Sequence, residues 1–235
     1  MNVLLLWDID GTLLKSGAAG MRALQKAFNQ EFIDNGSLHD IDFSGRTDRW
    51  IMRRIFEKFT LEPSERNFTL LKKAYLKQLP EELKAGPVQV LPGAREILEQ
   101  APAHPSVAHG LLTGNLIEGA RHKLSHVGLW RHFPFGGFAD DAELRNEIGP
   151  HALRRGRDHH GVEFRPDQVW VIGDTPHDIE GAKVIGANSL AVATGRHSLA
   201  ELDSFHPTAV RADLSDTAGF WKLVERDLRA RLIPA

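Results

Sequence analysis

The alternation of apolar and polar positions changes rhythm twice along this chain. Val3-Leu4-Leu5-Leu6-Trp7 is an unbroken apolar run that stops at Asp8-Ile9-Asp10-Gly11-Thr12. Its shortness and polar boundary predict a buried parallel strand over about residues 3–8. A stretch of small residues, Lys15-Ser16-Gly17-Ala18-Ala19-Gly20, follows, and beyond it the period is helical to about residue 85. Met21, Leu24, Ala27 and Phe28 make one apolar stripe, Ile51, Ile55 and Phe59 a second, and Leu70, Leu71, Ala74 and Tyr75 a third. Only Ile41-Asp42-Phe43 reads as a short strand-like interruption.

From Leu91 onward short apolar runs alternate with helical patterns. Leu91-Pro92-Gly93 opens a helix to about Gln100, with Pro near its first turn. Val107 to Leu112 is a strand ending at Thr113-Gly114-Asn115, and a helix follows to about His126. Phe133 to Phe138 is a weaker, glycine-containing strand, and residues 143–160 a helix. Val169 to Ile172 is a strong strand ending at Gly173-Asp174, and Pro176 starts a helix that ends near Gly186. Ser189 to Ala193 is another strand, and Phe220 to Leu228 a final amphipathic helix. Strands alternating with helices imply an α/β fold with a parallel sheet covered on both faces. The helical segment interrupts the first strand–helix unit, so we expect one core domain, residues 1–15 and 86–235, carrying an inserted helical domain, residues 16–85.

Composition narrows the class. A chain of 235 residues with 42% hydrophobic and 26% charged content is that of a globular protein. A net charge of −2 gives no basic field for nucleic acid. There is no cysteine, which excludes disulfides, thiolate metal sites and a cysteine nucleophile and fits a cytoplasmic protein. The N-terminus has no basic n-region and its apolar run stops at Asp8, against a signal peptide. No segment approaches the roughly 20 apolar residues of a membrane span.

Folds of this class bind ligands beyond the carboxyl ends of their strands, and three polar clusters are expected there: Asp8 with Asp10, Thr113, and Asp174 with Asp178. On a strand, Asp8 and Asp10 would point the same way. Two adjacent carboxylates repel unless a cation lies between them or one keeps a proton. One could bind Mg²⁺ while the other attacks or moves a proton. The alternative is an ordinary surface turn. Gly11 permits a tight turn whose backbone amide would be free for an anion. Asp174 adds a hard oxygen ligand for Mg²⁺, whereas Asp178 is equally readable as a helix-start residue. Thr113 and the amides behind it suit a phosphate oxygen, or simply a turn. Among Lys123, Arg145, Arg154, Arg155 and Arg157 as the balancing cation we prefer Arg145, with Lys123 an alternative and most of the others on solvated helix faces. The histidines have no metal-site spacing, and Trp7, Trp170 and Trp221 read as packing residues.

Together these motifs resemble those of the haloacid dehalogenase superfamily, specifically its phosphatases. Asp8-Ile9-Asp10-Gly11-Thr12 matches its first motif, Leu112-Thr113-Gly114-Asn115 its second and Gly173-Asp174-Thr175-Pro176-His177-Asp178 its fourth. The order and spacing agree over essentially the whole chain, and the helical insertion looks like the family's cap over a Rossmann-like core. The resemblance implies Asp8 as nucleophile and Asp10 as acid and base. It implies Mg²⁺ held by Asp8, the Asp10 backbone carbonyl and Asp174, with Asp178 positioning the ligands. Phosphate would be held by Gly11, Thr12, Thr113, Gly114, Asn115 and Arg145. Two departures stand out: the third motif's lysine is replaced by Arg145-Asn146, and Lys15 stands where relatives often carry Asp. We expect Lys15 to help bind an anionic part of the substrate. Ser44-Gly45-Arg46-Thr47-Asp48 resembles a cap loop of phosphoglycolate phosphatase-like relatives, which would let Arg46 reach a substrate carboxylate. The alternative is that Thr47 caps a helix and Arg46 is solvated.

The resemblance thus implies a Mg²⁺-dependent phosphatase of a small phosphorylated metabolite, with a phosphoglycolate-like substrate one option. It names no nucleic-acid or membrane partner and leaves monomer or homodimer open. A sugar-phosphate mutase of the same superfamily and a non-catalytic binding protein on the fold are the other readings. Asp10 argues against carbon–halogen cleavage, because the dehalogenases lack a carboxylate there.

Overall fold

A computed structural model of the protein describes residues 3–32 and 36–225. Six strands form one parallel sheet: β1 (Val3–Trp7), β4 (Val107–Leu112), β5 (Gly136–Gly137), β6 (Val169–Gly173), β7 (Asn188–Val192) and β8 (Ala209–Arg211). Their spatial order is β5-β4-β1-β6-β7-β8. β1 therefore lies inside the sheet, with β4 and β6 on either side: Leu6 stands opposite Gly110 on one and Val171 on the other. The chain first builds outward through β4 and β5, then returns across β1 to add β6, β7 and β8. The reversal at β1 opens a crevice at its carboxyl end.

The unbroken apolar sequence of β1 is explained by burial on both faces. Val3, Leu5 and Trp7 face one core and Leu4 and Leu6 the other, as a period of two requires. The first core is closed by α4 (Ala94–Gln100), α5 (Ile117–His126) and α9 (Thr217–Val224); the second by α6 (Gly149–His160) and α7 (Pro176–Val184). The helix α8 (Leu199–Asp203) packs Leu202 against Ile179 and Ala191. Trp7, Trp170 and Trp221 are all buried in the first core, as expected.

The segment between the first strand and Leu91 folds into α1 (Ala19–Glu31), α2 (Asp48–Lys58) and α3 (Glu65–Ala85). A two-residue antiparallel ladder, β2 (Leu14–Lys15) with β3 (Gln89–Val90), ties the two ends of this excursion together. The helices share a core of their own, including Leu24 and Phe28 of α1, Ile51, Ile55 and Phe56 of α2, and Phe68, Leu71 and Tyr75 of α3. It meets the sheet's side of the molecule through Leu116 and Ala139.

Several expectations need correction. Leu70 is exposed, because the buried face of α3 runs through Phe68, Leu71, Tyr75 and Leu79, a spacing that leaves residue 70 outside. Ile41-Asp42-Phe43 forms turns rather than a strand. The strand expected over 133–138 is reduced to Gly136–Gly137 at the sheet edge, and the helix expected from 143 begins at Gly149 after a single 3₁₀ turn, Arg145–Glu147. Arg155 is only partly solvated: it clamps both carboxylate oxygens of Asp141 at 2.6 Å and donates to the Gly136 carbonyl at 2.7 Å. The last predicted helix is present over Thr217–Val224, and its expected end at Leu228 lies outside the described residues. Among the described residues no helix is long and apolar enough to cross a membrane.

Candidate active site

The carboxyl ends of β1, β4 and β6 converge on a cavity of about 460 Å³ between the sheet and the helical layer. Asp8 follows β1 directly and Asp174 follows β6. Asp178 reaches them from the first turn of α7, where its Oδ2 accepts from the Thr175 amide at 3.0 Å and the Thr175 hydroxyl at 2.7 Å. It is therefore both the helix-start residue and a member of the acidic cluster. One oxygen from each of Asp8, Asp174 and Asp178 lies within 4.8 Å of the others, and all three residues are buried.

Arg145 is the cation among them. Its Nη2 lies 2.8 Å from Asp8 Oδ1 and also bonds Asp178 Oδ1. Three carboxylates against one guanidinium leave an excess of two negative charges. Burial, then repulsion from Asp8 and Asp178, pushes the Asp174 carboxyl well above the usual carboxylate range. Asp8 is also raised, by burial first and by its acidic neighbours, with Arg145 opposing. Such a set suits a hard divalent cation such as Mg²⁺, whose charge would balance the excess and whose preference is for carboxylate oxygen.

The backbone permits this crowding at Gly11, whose φ of 87° lies in the left-handed region. A side-chain carbon there would come within 2.4 Å of Asp174 Oδ2. Gly11 does not leave its amide free, contrary to expectation: the turn closes on itself, and Gly11 N donates to the Leu14 carbonyl at 2.8 Å. Thr12 is fully buried and donates its hydroxyl to Asp174 Oδ1 at 3.2 Å, so it orients a carboxylate instead of lining the cavity.

Asp8 and Asp10 keep different company. β1 ends at Trp7, so strand alternation no longer governs the two residues beyond it. Asp10 Oδ2 bonds Lys123 Nζ at 2.5 Å and accepts from Asn115 Nδ2 at 2.9 Å, while Oδ1 accepts from Ser16 at 3.2 Å. Burial alone would raise the Asp10 carboxyl, but Lys123 and these hydrogen bonds hold it below its ordinary range. Its carboxylate lies outside the three-carboxylate cluster. The two candidate cations are thus both used, Arg145 on Asp8 and Lys123 on Asp10. Lys123 is 5% exposed and also donates to Asn115 Oδ1 at 2.6 Å.

Thr113 is fully buried, and its hydroxyl oxygen accepts from Asn115 Nδ2 at 2.9 Å. Gly114 lines the cavity, and its carbonyl accepts from the Asp48 amide at 2.7 Å. Leu116 N donates to Asp48 Oδ2 at 2.8 Å, so α2 is fastened to the loop after β4 through both backbone and side chain. Thr47 caps α2 as expected, accepting from Trp50 N at 3.0 Å. Arg46 lines the cavity with its guanidinium 4.5 Å over the Trp50 ring, and its Nε is buried with no hydrogen-bond partner among the described residues. Lys15 does not reach the site: it is the exposed residue of β2 and lines no part of the cavity, because its neighbour Leu14 takes the inward position.

Residues that sequence reasoning left without a role complete the enclosure. Met21 and Leu24 from α1, Ile51 from α2 and Tyr75 from α3 form the roof with Ile41 and Phe43. At the mouth Arg196 grips Asp42 through two contacts of 2.9 and 3.2 Å.

Residues 5–192 match the family model of the haloacid dehalogenase-like hydrolases. The chain belongs to that family. A hydrolase from Pseudomonas syringae superposes with a TM-score of 0.71 at 18% identity, covering 95% of this chain and 99% of its own. A predicted phosphoglycolate phosphatase from Haemophilus somnus gives 0.70 at 18%, covering 93% and 97%. A predicted phosphatase from Clostridium acetobutylicum gives 0.67 at 18%, covering 97% and 99%. At these identities the likeness is one of fold. No curated protein matches the chain. As in the haloacid dehalogenase-like hydrolases generally, the core here is a Rossmann-like parallel sheet, and α1–α3 form the helical layer above it.

Proposed function

We propose that this protein is a Mg²⁺-dependent phosphatase that hydrolyses a small phosphorylated metabolite through an aspartyl-phosphate on Asp8. The observation that carries the reading is the division of labour between the two aspartates. Asp8 lies in a buried acidic cluster with one arginine, and Asp10 lies beside it on a separate lysine. In this reading residues 16–85 act as the cap over a core of residues 1–15 and 86–235.

Asp8, Asp174 and Asp178 would hold Mg²⁺, assisted by the Asp10 backbone carbonyl. The ion would supply charge neutralisation for a phosphoryl group brought up to three carboxylates. Asp8 attacks the phosphorus, and the bond from phosphorus to the leaving oxygen breaks. Arg145, already fixed beside Asp8, would offer its remaining N–H groups to the equatorial oxygens as charge builds on them, with Thr113 and Asn115 as further donors. Asp10 gives its proton to the departing oxygen and then takes one from the water that cleaves the Asp8 acyl phosphate, so its protonation state is restored after each turnover. Lys123 holds Asp10 in its ionised form. A phosphoester entering beside Asp10 brings negative charge, which raises that carboxyl toward the protonated form the first half of the reaction requires. Arg46, with an uncommitted guanidinium edge at the cavity wall, would contact the substrate from the cap side.

The test is phosphate release from a panel of small phosphoesters, with Mg²⁺ and after its removal by a chelator. The reading expects release only with Mg²⁺. Isomerised sugar phosphate without free phosphate would replace it with a mutase.

A further inference from the structure

Tyr75 is 2% exposed, yet its hydroxyl has no hydrogen-bond partner among the described residues, and it lines the cavity. The hydroxyl opens onto the cavity, where water or a ligand can pair it. Two glycines open the space around it. A side-chain carbon at Gly119 of α5 would lie 3.7 Å from both Tyr75 Oη and Asp48 Oδ2. One at Gly20 of α1 would lie 3.6 Å from both Tyr75 Oη and Lys123 Nζ. Asp48 spends Oδ2 on Leu116 N, and its Oδ1 has no hydrogen-bond partner among the described residues. Phenol and carboxylate thus converge on one part of the cavity, beside the Lys123–Asp10 pair.

We propose that Tyr75 and Asp48 form a subsite for a hydrogen-bond-donating group, a hydroxyl or an amine, on the alcohol part of the phosphoester. The inference rests on the phosphatase reading, because in that reading Asp10 protonates the leaving oxygen and so marks the side on which the alcohol lies. Asp48 can only accept when ionised, and Tyr75 can accept while donating to Asp48 or to the ligand. A carboxylate placed there would meet Asp48 and Asp10 and be repelled. The apolar side chains of Met21, Leu24 and Ile51 around this spot suit the carbon skeleton that carries the donor. The subsite therefore selects a hydroxylated or aminated alcohol over a bare glycolate.

The experiment compares kcat/KM, in the presence of Mg²⁺, for glycerol 3-phosphate against propyl phosphate, for aminoethyl phosphate against ethyl phosphate, and for phosphoglycolate. The donor-bearing member of at least one pair is expected to lead by at least about tenfold, and the pair with the larger ratio identifies hydroxyl or amine. In Tyr75→Phe that ratio is expected to collapse toward one, with Asp48→Asn acting in the same direction. A general loosening of the fold would lower both members of a pair together and leave the ratio in place. Wild-type ratios near one, a ratio that survives in Tyr75→Phe, or a preference for phosphoglycolate over every other ester would overturn the subsite and leave the phosphatase standing. Release from none of the esters would overturn the phosphatase reading and the subsite with it.

Discussion

On the floor of the cavity each carboxylate has an ion-pair or hydrogen-bond partner: Asp8 and Asp178 on Arg145, Asp10 on Lys123 and Asn115, Asp174 on Thr12. On the roof, Met21, Leu24 and Ile51 line the cavity with Tyr75, and among the described residues neither the Tyr75 hydroxyl nor Arg46 Nε has a hydrogen-bond partner. The floor comes from the turns after three neighbouring strands and the first turn of one helix, where backbone geometry fixes each side chain to within a rotamer. The roof comes from three helices that meet the core through residues 46–48, the Arg53–Glu143 and Lys72–Asp140 ion pairs and the packing around Leu116 and Ala139, so its cavity-facing side chains can vary without disturbing the strands. A floor of this kind is suited to one reaction and a roof of this kind to choosing what undergoes it.

The contrast can be broken most severely at Arg145. Arg145→Ala leaves two buried carboxylates without their cation, a loss expected to cost about 3–5 kcal/mol of stability. Urea denaturation should show that loss in the absence of Mg²⁺ and partial recovery on adding it, since a ligand of the folded state stabilises it. An unchanged midpoint without Mg²⁺ would mean that the acidic cluster is not held by Arg145.

The next test concerns what lies beneath the floor. His109 accepts a hydrogen bond from Trp7 Nε1 at 3.2 Å, and burial, chiefly, lowers its imidazole to about 4. The folded state refuses a proton that the unfolded chain accepts below about 6.5. Stability is then lost as pH falls through the window from about 6.5 to about 4, by roughly 3 kcal/mol when complete. His109→Gln, which keeps an acceptor for Trp7, should flatten the acid limb by about one proton. An acid limb as steep in the variant as in the wild type would show that His109 titrates normally.

The smallest effect is expected at the roof. Arg46→Ala should raise KM by about tenfold on the preferred ester while kcat changes less, because in the proposed reading Arg46 would contact the substrate and not the reacting atoms. Unchanged steady-state kinetics on every phosphoester would remove Arg46 from the site.

The same contrast governs what could be read beforehand. Asp8, Asp10, Asp174 and Asp178 were legible because each sits within a few residues of the end of an apolar run, so local sequence carried their position. The parallel sheet and the helical insertion were legible from periodicity for the same reason. The short pieces were not: β2, β3 and β8 have two or three residues, too few for a pattern. Gly11's amide was misjudged because the turn's own hydrogen bond to Leu14 cannot be inferred from residue type. Lys15 was assigned to the site because it stands where relatives often carry Asp, whereas a strand pair turns it outward. Asp48 and Tyr75 read as a helix-start residue and a core aromatic. Their meeting beside Lys123 depends on how α2, α3 and α5 pack, a relation with no local signature.

The account stands or falls on Asp8 as the nucleophile. The most direct measurement is single-turnover release of phosphate from the best ester in the panel, with Mg²⁺ present, for the wild type and for Asp8→Asn. The account predicts full conversion of the bound ester to free phosphate in the wild type and, in Asp8→Asn, a rate lower by at least about a thousandfold with the fold intact by circular dichroism. Release from Asp8→Asn at a rate close to wild type would contradict it, because phosphate would then be reaching water without passing through Asp8.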